Sequence, residues 1–442
     1  MTSTASLQPI LDKPFVLDLF AGPGGLDVAA HGFGIPSLGI EWDRSACLTR
    51  YAAGLDTLHA DVSAVRRDAF ESLPPEINVL AGGPPCQTYS VAGKGAGRKA
   101  LDEVKGYIHR LMDGESDEAI DADLKTLTDP RTAMVLEPLR YAIQATRSPN
   151  RGMRPYDVIV LEQVPTVAAL WTQYAEALEE TGLPDGTKYK AVTDVLATET
   201  YGVPQTRSRA VLIARRVGLG DPALPESSHR PYEAKGWNGR PSSPAGDPHQ
   251  PTLDEAPRTT VEADRGSGDE EKPLWRSMGD ALGARVGTHP GRARPFLVRS
   301  NYGSSGIPGR RGVRSDRQPA ATVTGRISRF VVFEHLNEEI VREGARFSMN
   351  EAGMLQSFPP DYPWSGTAQA QQVGNAVPPL FGKHLLSAAL GLPAPDIRAA
   401  VRPWQPVAEE RRAELRIRGC GESDGCTDKC PRPEEQTPPL SS

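Results

Sequence analysis

The sequence predicts an α/β protein built on a doubly wound, mostly parallel sheet. Two observations carry that expectation: short apolar runs that each exit into glycine or an acid, and a stretch of helical apolar period between two of them. The first run, "FVLDLFAGPGG" at 15–25, reads as a buried strand entering a glycine-rich turn, with a helix opening near Leu26 and ending in glycine. "SLGIEWD" at 37–43 is a second strand, so the pair makes a βαβ unit with a right-handed crossover. Further strands are expected at "INVLAGG" (77–83), "YDVIVLEQV" (156–164) and "RAVLIARR" (209–216). The segment "RTAMVLEPLRYAIQA" (131–145) has helical spacing and should cover the sheet.

At 442 residues the chain is long for one compact unit, which predicts two or more. With 38% hydrophobic and 24% charged residues it has an ordinary soluble composition, and a net charge of −6 does not by itself announce nucleic acid. Five cysteines, odd in number and widely spaced, offer no disulfide framework and point to a reducing, cytoplasmic setting. There is no signal-peptide pattern and no apolar run of about 18 residues, so a membrane segment is not expected.

Residues 99–130 carry Asp113, Glu115, Asp117, Glu118, Asp121 and Asp123 and read as a solvated acidic surface insertion. Residues 220–275 are rich in Pro, Gly and Ser and read as a long, weakly structured loop. Beyond them, 292–329 set Arg292, Arg294, Arg299, Arg310, Arg311, Arg314, Arg317, Arg326 and Arg329 against Asp316 alone, a local charge suited to phosphate. Residues 1–14 and 396–442 are expected to be mobile ends.

Two constellations carry chemistry. In "DLFAGPGG", Gly22, Gly24 and Gly25 allow close approach of a ligand to the backbone, and Glu41 follows about 20 residues later, where an acid can accept from a ribose diol. Trp42 can stack on a purine and Asp61 can accept from an adenine amino group. That pattern reads an adenosyl group without choosing between NAD, S-adenosylmethionine and a plain structural turn. In "GGPPCQTYS" (82–90), Cys86 stands at a strand exit behind two prolines, a place that presents a thiolate rather than hiding one. Glu162 at the end of a buried strand, Arg207 and Arg209 in "QTRSR", and the "QQVGNAVPP" turn at 371–379 are its candidate helpers.

Taken in order, "DLFAGPGG", "EWD", "GGPPCQTYS", the strand-end acid, "QTRSR" and "QVGNAVPP" resemble the motif set of the cytosine-5 DNA methyltransferases, over residues 15–217 and 317–392. "RFSMNEAGMLQSFPPDY" (346–362) resembles that family's penultimate block at Glu351, Leu355, Gln356, Phe358 and Pro359. The resemblance implies a Rossmann-like catalytic domain over 15–217, completed by 346–395, and a smaller irregular target-recognition domain over 218–345. It implies S-adenosylmethionine as methyl donor, no metal, double-stranded DNA as partner, and a monomer with a possible cognate restriction endonuclease. It further implies Cys86 as nucleophile adding to cytosine C6, Glu162 protonated and hydrogen-bonded at N3, and Arg207 and Arg209 stabilising charge. The cofactor would be lined by Phe20, Ala21, Gly22, Gly24, Gly25, Glu41, Trp42, Asp61, Pro85 and Asn375, and DNA held by Lys94, Arg98, Arg299, Arg310, Arg311 and Arg314.

Three departures stand out: Gln163 where the family has asparagine, which bears on the rigidity of the cysteine loop; Thr88-Tyr89 after Gln87; and Asn350 in place of arginine. A tRNA-directed relative would carry a Cys-Phe-Thr signature that is absent, a non-catalytic relative would lack Cys86 or the glycine turn, and an NAD enzyme leaves the Cys86 block unexplained. Cys420, Cys426 and Cys430 have no local fourth ligand for zinc, and Cys47 reads as a helix core residue.

Overall fold

The computed structural model describes residues 9–85, 96–125, 130–147, 152, 154–232, 272–300, 312–336, 339–396 and 402–405. Its main sheet contains β1 (Val16–Leu19), β2 (Ser37–Glu41), β3 (Thr57–His59), β4 (Val79–Gly82), β5 (Val158–Gln163), β6 (Tyr189–Ala197) and β7 (Ser208–Arg216), in the spatial order β3-β2-β1-β4-β5-β7-β6. Neighbours are parallel from β3 to β5, and β7 is antiparallel to both β5 and β6. β1, β4 and β5 are buried along their whole length, which is why they read as continuous apolar runs rather than as alternating ones. The order turns at β1, flanked by β2 on one side and β4 on the other, and such switch points open a crevice at the carboxyl edge of the sheet.

The acidic insertion, expected as a solvated surface segment, is helical and keeps its acids at the surface, but its other face packs on the core. Helices Ala96–Met112 and Asp117–Leu124 bury Val104, Ile108, Leu111, Ile120 and Leu124 in the same core as the sheet. Their acids are used: Asp117 accepts from Arg66 at 2.6 Å and from Arg140 at 3.1 Å, and Glu137 accepts from both arginines. Counting charges missed this because the cations that neutralise Asp117 come from other elements, while Arg110 of the insertion itself pairs with Glu115 and Asp123. The helix expected over 131–145 starts as 3-10 turns, Pro130–Leu136, before the α-helix Glu137–Arg147.

A second, antiparallel sheet joins β8 (Phe296–Arg299), β9 (Val313–Ser315), β10 (Val331–Leu336) and β11 (Glu339–Ala345) in the order β11-β10-β8-β9. Its core, with Phe296, Val298, Phe330, Val332 and Phe347, continues into Ala352 and Leu355 of helix Met349–Leu355. The chain then returns to the main sheet. Helix Pro379–Leu390 buries Leu380, Phe381, Leu385 and Leu386 with Val16, Leu26, Val79, Val158 and Val211, so the first domain is built from two distant stretches of chain. Residues 402–405, expected to belong to a mobile tail, pack onto this domain through Trp404, whose indole N–H donates to Ala53 O at 2.9 Å. No helix among the described residues is long and apolar enough to cross a membrane.

Candidate active site

The parallel register sets Leu19 of β1 beside Gly82 of β4, and Gly82 beside Leu161 of β5. The glycine turn, the Pro84-Pro85 segment and Glu162 therefore leave the sheet side by side at the switch-point edge. Because β7 runs the other way, its amino-terminal end comes to that same edge and carries Arg209. The Glu162 carboxylate lies 3.1 Å from Arg209 Nε, with both side chains about nine-tenths buried. Gly83 makes room for it, since a Cβ there would stand 2.8 Å from Glu162 Oε1.

Arg207 goes elsewhere. Its guanidinium donates to the carbonyls of Val323, Gly374 and Ala376 at 2.9–3.3 Å, so it fastens the "QTRSR" segment to the "QVGNAVPP" turn instead of lying with Arg209. The two arginines part because Arg207 stands before β7 begins while Arg209 belongs to it. Gln205 reinforces the join, giving its amide to Leu355 O and Gln356 Oε1 and accepting from Val323 N. Gln163 answers the question raised by the family asparagine: its amide N–H reaches Pro84 O while its oxygen accepts from Val164 N at 2.6 Å. The longer side chain still ties β5 to the segment that leads into Cys86. Cys86 itself lies outside the described residues, as do Lys94, Arg310, Arg311 and the tail cysteines Cys420, Cys426 and Cys430.

The glycine turn divides into a filled side and an open side. At Gly24, φ +100°, a Cβ would meet Leu55, and at Gly25 it would come within 2.1 Å of Val377 O. At Gly22 nothing lies within 4 Å. Phe20 holds φ +59°, a conformation that side chains rarely adopt and that sites store as strain. Glu41 accepts from Gly22 N at 2.7 Å, Trp42 N at 2.9 Å and Asp43 N at 2.7 Å. Burial raises its pKa against those hydrogen bonds, and three of the roughly four acceptor positions of a carboxylate are filled, leaving space for one donor from a ligand. Trp42 is 73% exposed beside it. Asp61 is exposed and caps helix Val62–Asp68 by accepting from Ala64 N. Ala21 is buried, Pro85 is half-buried, and Asn375 is exposed at the end of helix Gln369–Asn375. A cradle open at Gly22, an acid at the end of β2 and an exposed aromatic ring fit an adenosyl group.

Sequence reasoning missed what lies beneath this turn. Asp18 and Asp27 are buried together, and Asp27 accepts from Arg50 at 2.6 Å and Ser37 at 2.8 Å. Burial, with Asp27 adding to it, holds the Asp18 carboxyl well above the usual range. The acid inside the apolar run "VLDL" was the available signal. Tyr362, also buried, donates its hydroxyl to Pro23 O in the turn.

Among the arginines read as DNA contacts, Arg314 is turned inward, donating to Thr206, Pro319 O and Ala320 O with its guanidinium over Tyr232. Burial lowers its pKa. Arg299 lies over the ring of Phe333. Arg292 is buried between Glu351 and Glu334, and Arg294 pairs with Asp316 at 2.7 Å. Arg317, Arg326 and Arg329 are exposed, as is Arg294 beside its acid, and the side chain of Arg98 is not among those described.

A family model for C-5 cytosine-specific DNA methylase matches residues 15–108 and 157–390, well over half of the chain. The chain belongs to the C-5 cytosine-specific DNA methylase family. The methylase is 27% identical over 381 residues to type II methyltransferase M1.HphI of Haemophilus parahaemolyticus, a match covering 85% of this chain and 86% of that protein. It is 24% identical over 381 residues to type II methyltransferase M.Sau96I of Staphylococcus aureus, covering 84% and 74%. A solved structure described as the S. pombe Dnmt2 methyltransferase aligns with a TM-score of 0.48 and 15% identity, over 85% of this chain and 98% of that one.

Proposed function

We propose that this methylase transfers a methyl group to C5 of a cytosine turned out of a specific duplex DNA sequence, in a reaction opened by the thiolate of Cys86. The observation that supports it most directly is the meeting of three segments at one sheet edge. Pro84 and Pro85 lead there into Cys86, Glu162 lies against Gly83, and Arg209 stands 3.1 Å from Glu162. S-adenosyl-L-methionine, held over Gly22 by Glu41, Trp42 and Phe20, would supply an electrophilic methyl group carried on sulfonium.

The protein's own groups prepare the acceptor. Cytosine C5 is a poor nucleophile until a bond from the Cys86 sulfur to C6 releases the electron pair of the C5–C6 double bond. The charge that spreads to N3 is met by a proton held at Glu162, and Arg209 keeps that carboxyl in place. Once C5 carries the methyl group, the proton at N3 returns to Glu162, the C5 proton is lost to water, the sulfur–C6 bond breaks with its electrons returning to the thiolate, and the ring double bond reforms. None of these atoms is accessible inside a duplex, so the base must leave the stack. The relatives are named type II methyltransferases, which favours a modification enzyme of that type; a cognate restriction endonuclease and a cytoplasmic setting are part of the same proposal.

The test is transfer of tritiated methyl from S-adenosylmethionine to duplexes of varied sequence, followed by mapping of the modified base. Label at cytosine C5 in one sequence context is expected; label on adenine, or on tRNA alone, would overturn the reading. With 5-fluorocytosine in the target, the parent should form a stable protein–DNA adduct and Cys86→Ser should not.

A further inference from the structure

Trp404 lies beyond the stretch matched to the family, yet its indole touches three elements around the glycine turn. Its N–H donates to Ala53 O, 351 residues away, at the end of helix Arg44–Ala53. Its ring stands 5.0 Å from that of His31, the last residue of the helix Gly25–His31 that opens from the turn. It also stands edge-on to Tyr362 at 5.5 Å. Tyr362 is 1% exposed, held in a cluster with Phe358 at 4.7 Å and Trp364 at 5.0 Å, and its hydroxyl donates to Pro23 O. A Cβ at Gly24 would lie 3.2 Å from that hydroxyl, so the phenol and the turn are in direct contact. The neighbouring Pro403 leans on Gly287, where an added Cβ would be 3.1 Å from its ring.

We propose that Trp404 is a positioning residue for the cofactor turn, acting through Tyr362. By covering Tyr362 and bracing the ends of both adjoining helices, the indole keeps the tyrosine hydroxyl on Pro23 O and so holds Gly22–Gly25 in the shape that receives the adenosyl group. The inference rests on the reading that this turn binds S-adenosylmethionine. An aromatic contact with one hydrogen bond is enough to matter, since a turn left free to change shape binds its ligand only in the fraction of molecules that remain competent. Trp404 is half-buried at the surface, and its removal leaves the central core untouched.

The experiment uses the full-length chain with Trp404→Ala, Trp404→Phe and Tyr362→Phe. It reads the Kd for S-adenosylhomocysteine by calorimetry, and kcat with the separate KM values for S-adenosylmethionine and DNA. Trp404→Ala and Tyr362→Phe should each weaken S-adenosylhomocysteine binding and raise the cofactor KM about five-fold, the worth of the neutral Tyr362–Pro23 hydrogen bond that each change loosens or removes, with kcat and the DNA KM unchanged. Trp404→Phe, which keeps a ring over Tyr362, should stay within about two-fold of the parent. Parental cofactor affinity in Trp404→Ala overturns the proposal, as does an equal rise in both KM values, the mark of general loosening. A parent that binds no S-adenosylhomocysteine instead overturns the assignment of the turn.

Discussion

Arg207 offers the sharpest separation of a structural from a chemical role. Its guanidinium donates to the carbonyls of Val323, Gly374 and Ala376, and the residue is 4% exposed. Replacing it by methionine keeps most of the volume and removes every one of those donors. Hydrogen bonds to a charged donor contribute about 1.5–3 kcal/mol each, and the abandoned buried carbonyls add their own desolvation penalty, partly relieved by local movement. A net loss of about 3–5 kcal/mol is expected, a large fraction of the roughly 5–15 kcal/mol that holds a typical domain together. Arg207→Lys, a point charge without the planar fork, should lose roughly half as much. Guanidinium chloride unfolding followed by tryptophan fluorescence measures both, beside kcat at a temperature where each variant is folded. If Arg207→Met unfolds within about 1 kcal/mol of the parent yet has lost its turnover, the clamp assignment is wrong and the residue belongs to the chemistry.

Gly25→Ala should abolish cofactor binding and lower the melting temperature, because the new Cβ would lie 2.1 Å from the backbone oxygen of Val377; unaltered calorimetric affinity would contradict the close approach. Glu162→Gln keeps the shape of the carboxyl but holds no transferable proton, so kcat should fall by about 10²–10⁴ with the cofactor Kd unchanged, as single-turnover assays would report. His384 is 4% exposed, and burial, with the charge of His229 second, pushes its imidazole down to about 4. Its folded pKa lies below the ordinary value near 6.5, so the unfolded chain takes up more protons between those limits. Stability should therefore fall as pH drops from about 6.5 towards 4, by up to about 3 kcal/mol, and His384→Phe should flatten that part of the unfolding profile.

The strands that enclose the site were legible because each is buried on both faces and writes an uninterrupted apolar run: "VLDL", "NVLAG" and "VIVLEQ" each sit in or around an observed strand. The edge strand β6, with its half-exposed "YKAVTDVLA", left no such trace, and neither did β8 to β11, which are short and rich in charge. Glu162 and Arg209 were each legible as strand-end candidates, but their pairing was not, because it depends on β7 running antiparallel to β5. Arg207 and Arg314 could not be assigned, since a guanidinium reads the same in sequence whether it faces phosphate or buried carbonyls. The insertion's ties to the core were missed for a related reason: Arg66 and Arg140, which neutralise Asp117, belong to other helices. The support from Tyr362 and Trp404 was invisible because it depends on contacts across more than three hundred residues.

The tie between Tyr362 and Pro23 spans 339 residues, and Gly25 rests on Val377, so the glycine turn is completed only by chain made long after it. At about 5–20 residues per second the amino-terminal strands wait roughly half a minute for the helix that covers them. During that interval the apolar face formed by Leu26, Val16 and Val79 lacks the cover that Leu380, Phe381, Leu385 and Leu386 supply. A chain that stops short of these residues would thus leave the glycine turn without Tyr362 and Val377, the contacts that fix its shape.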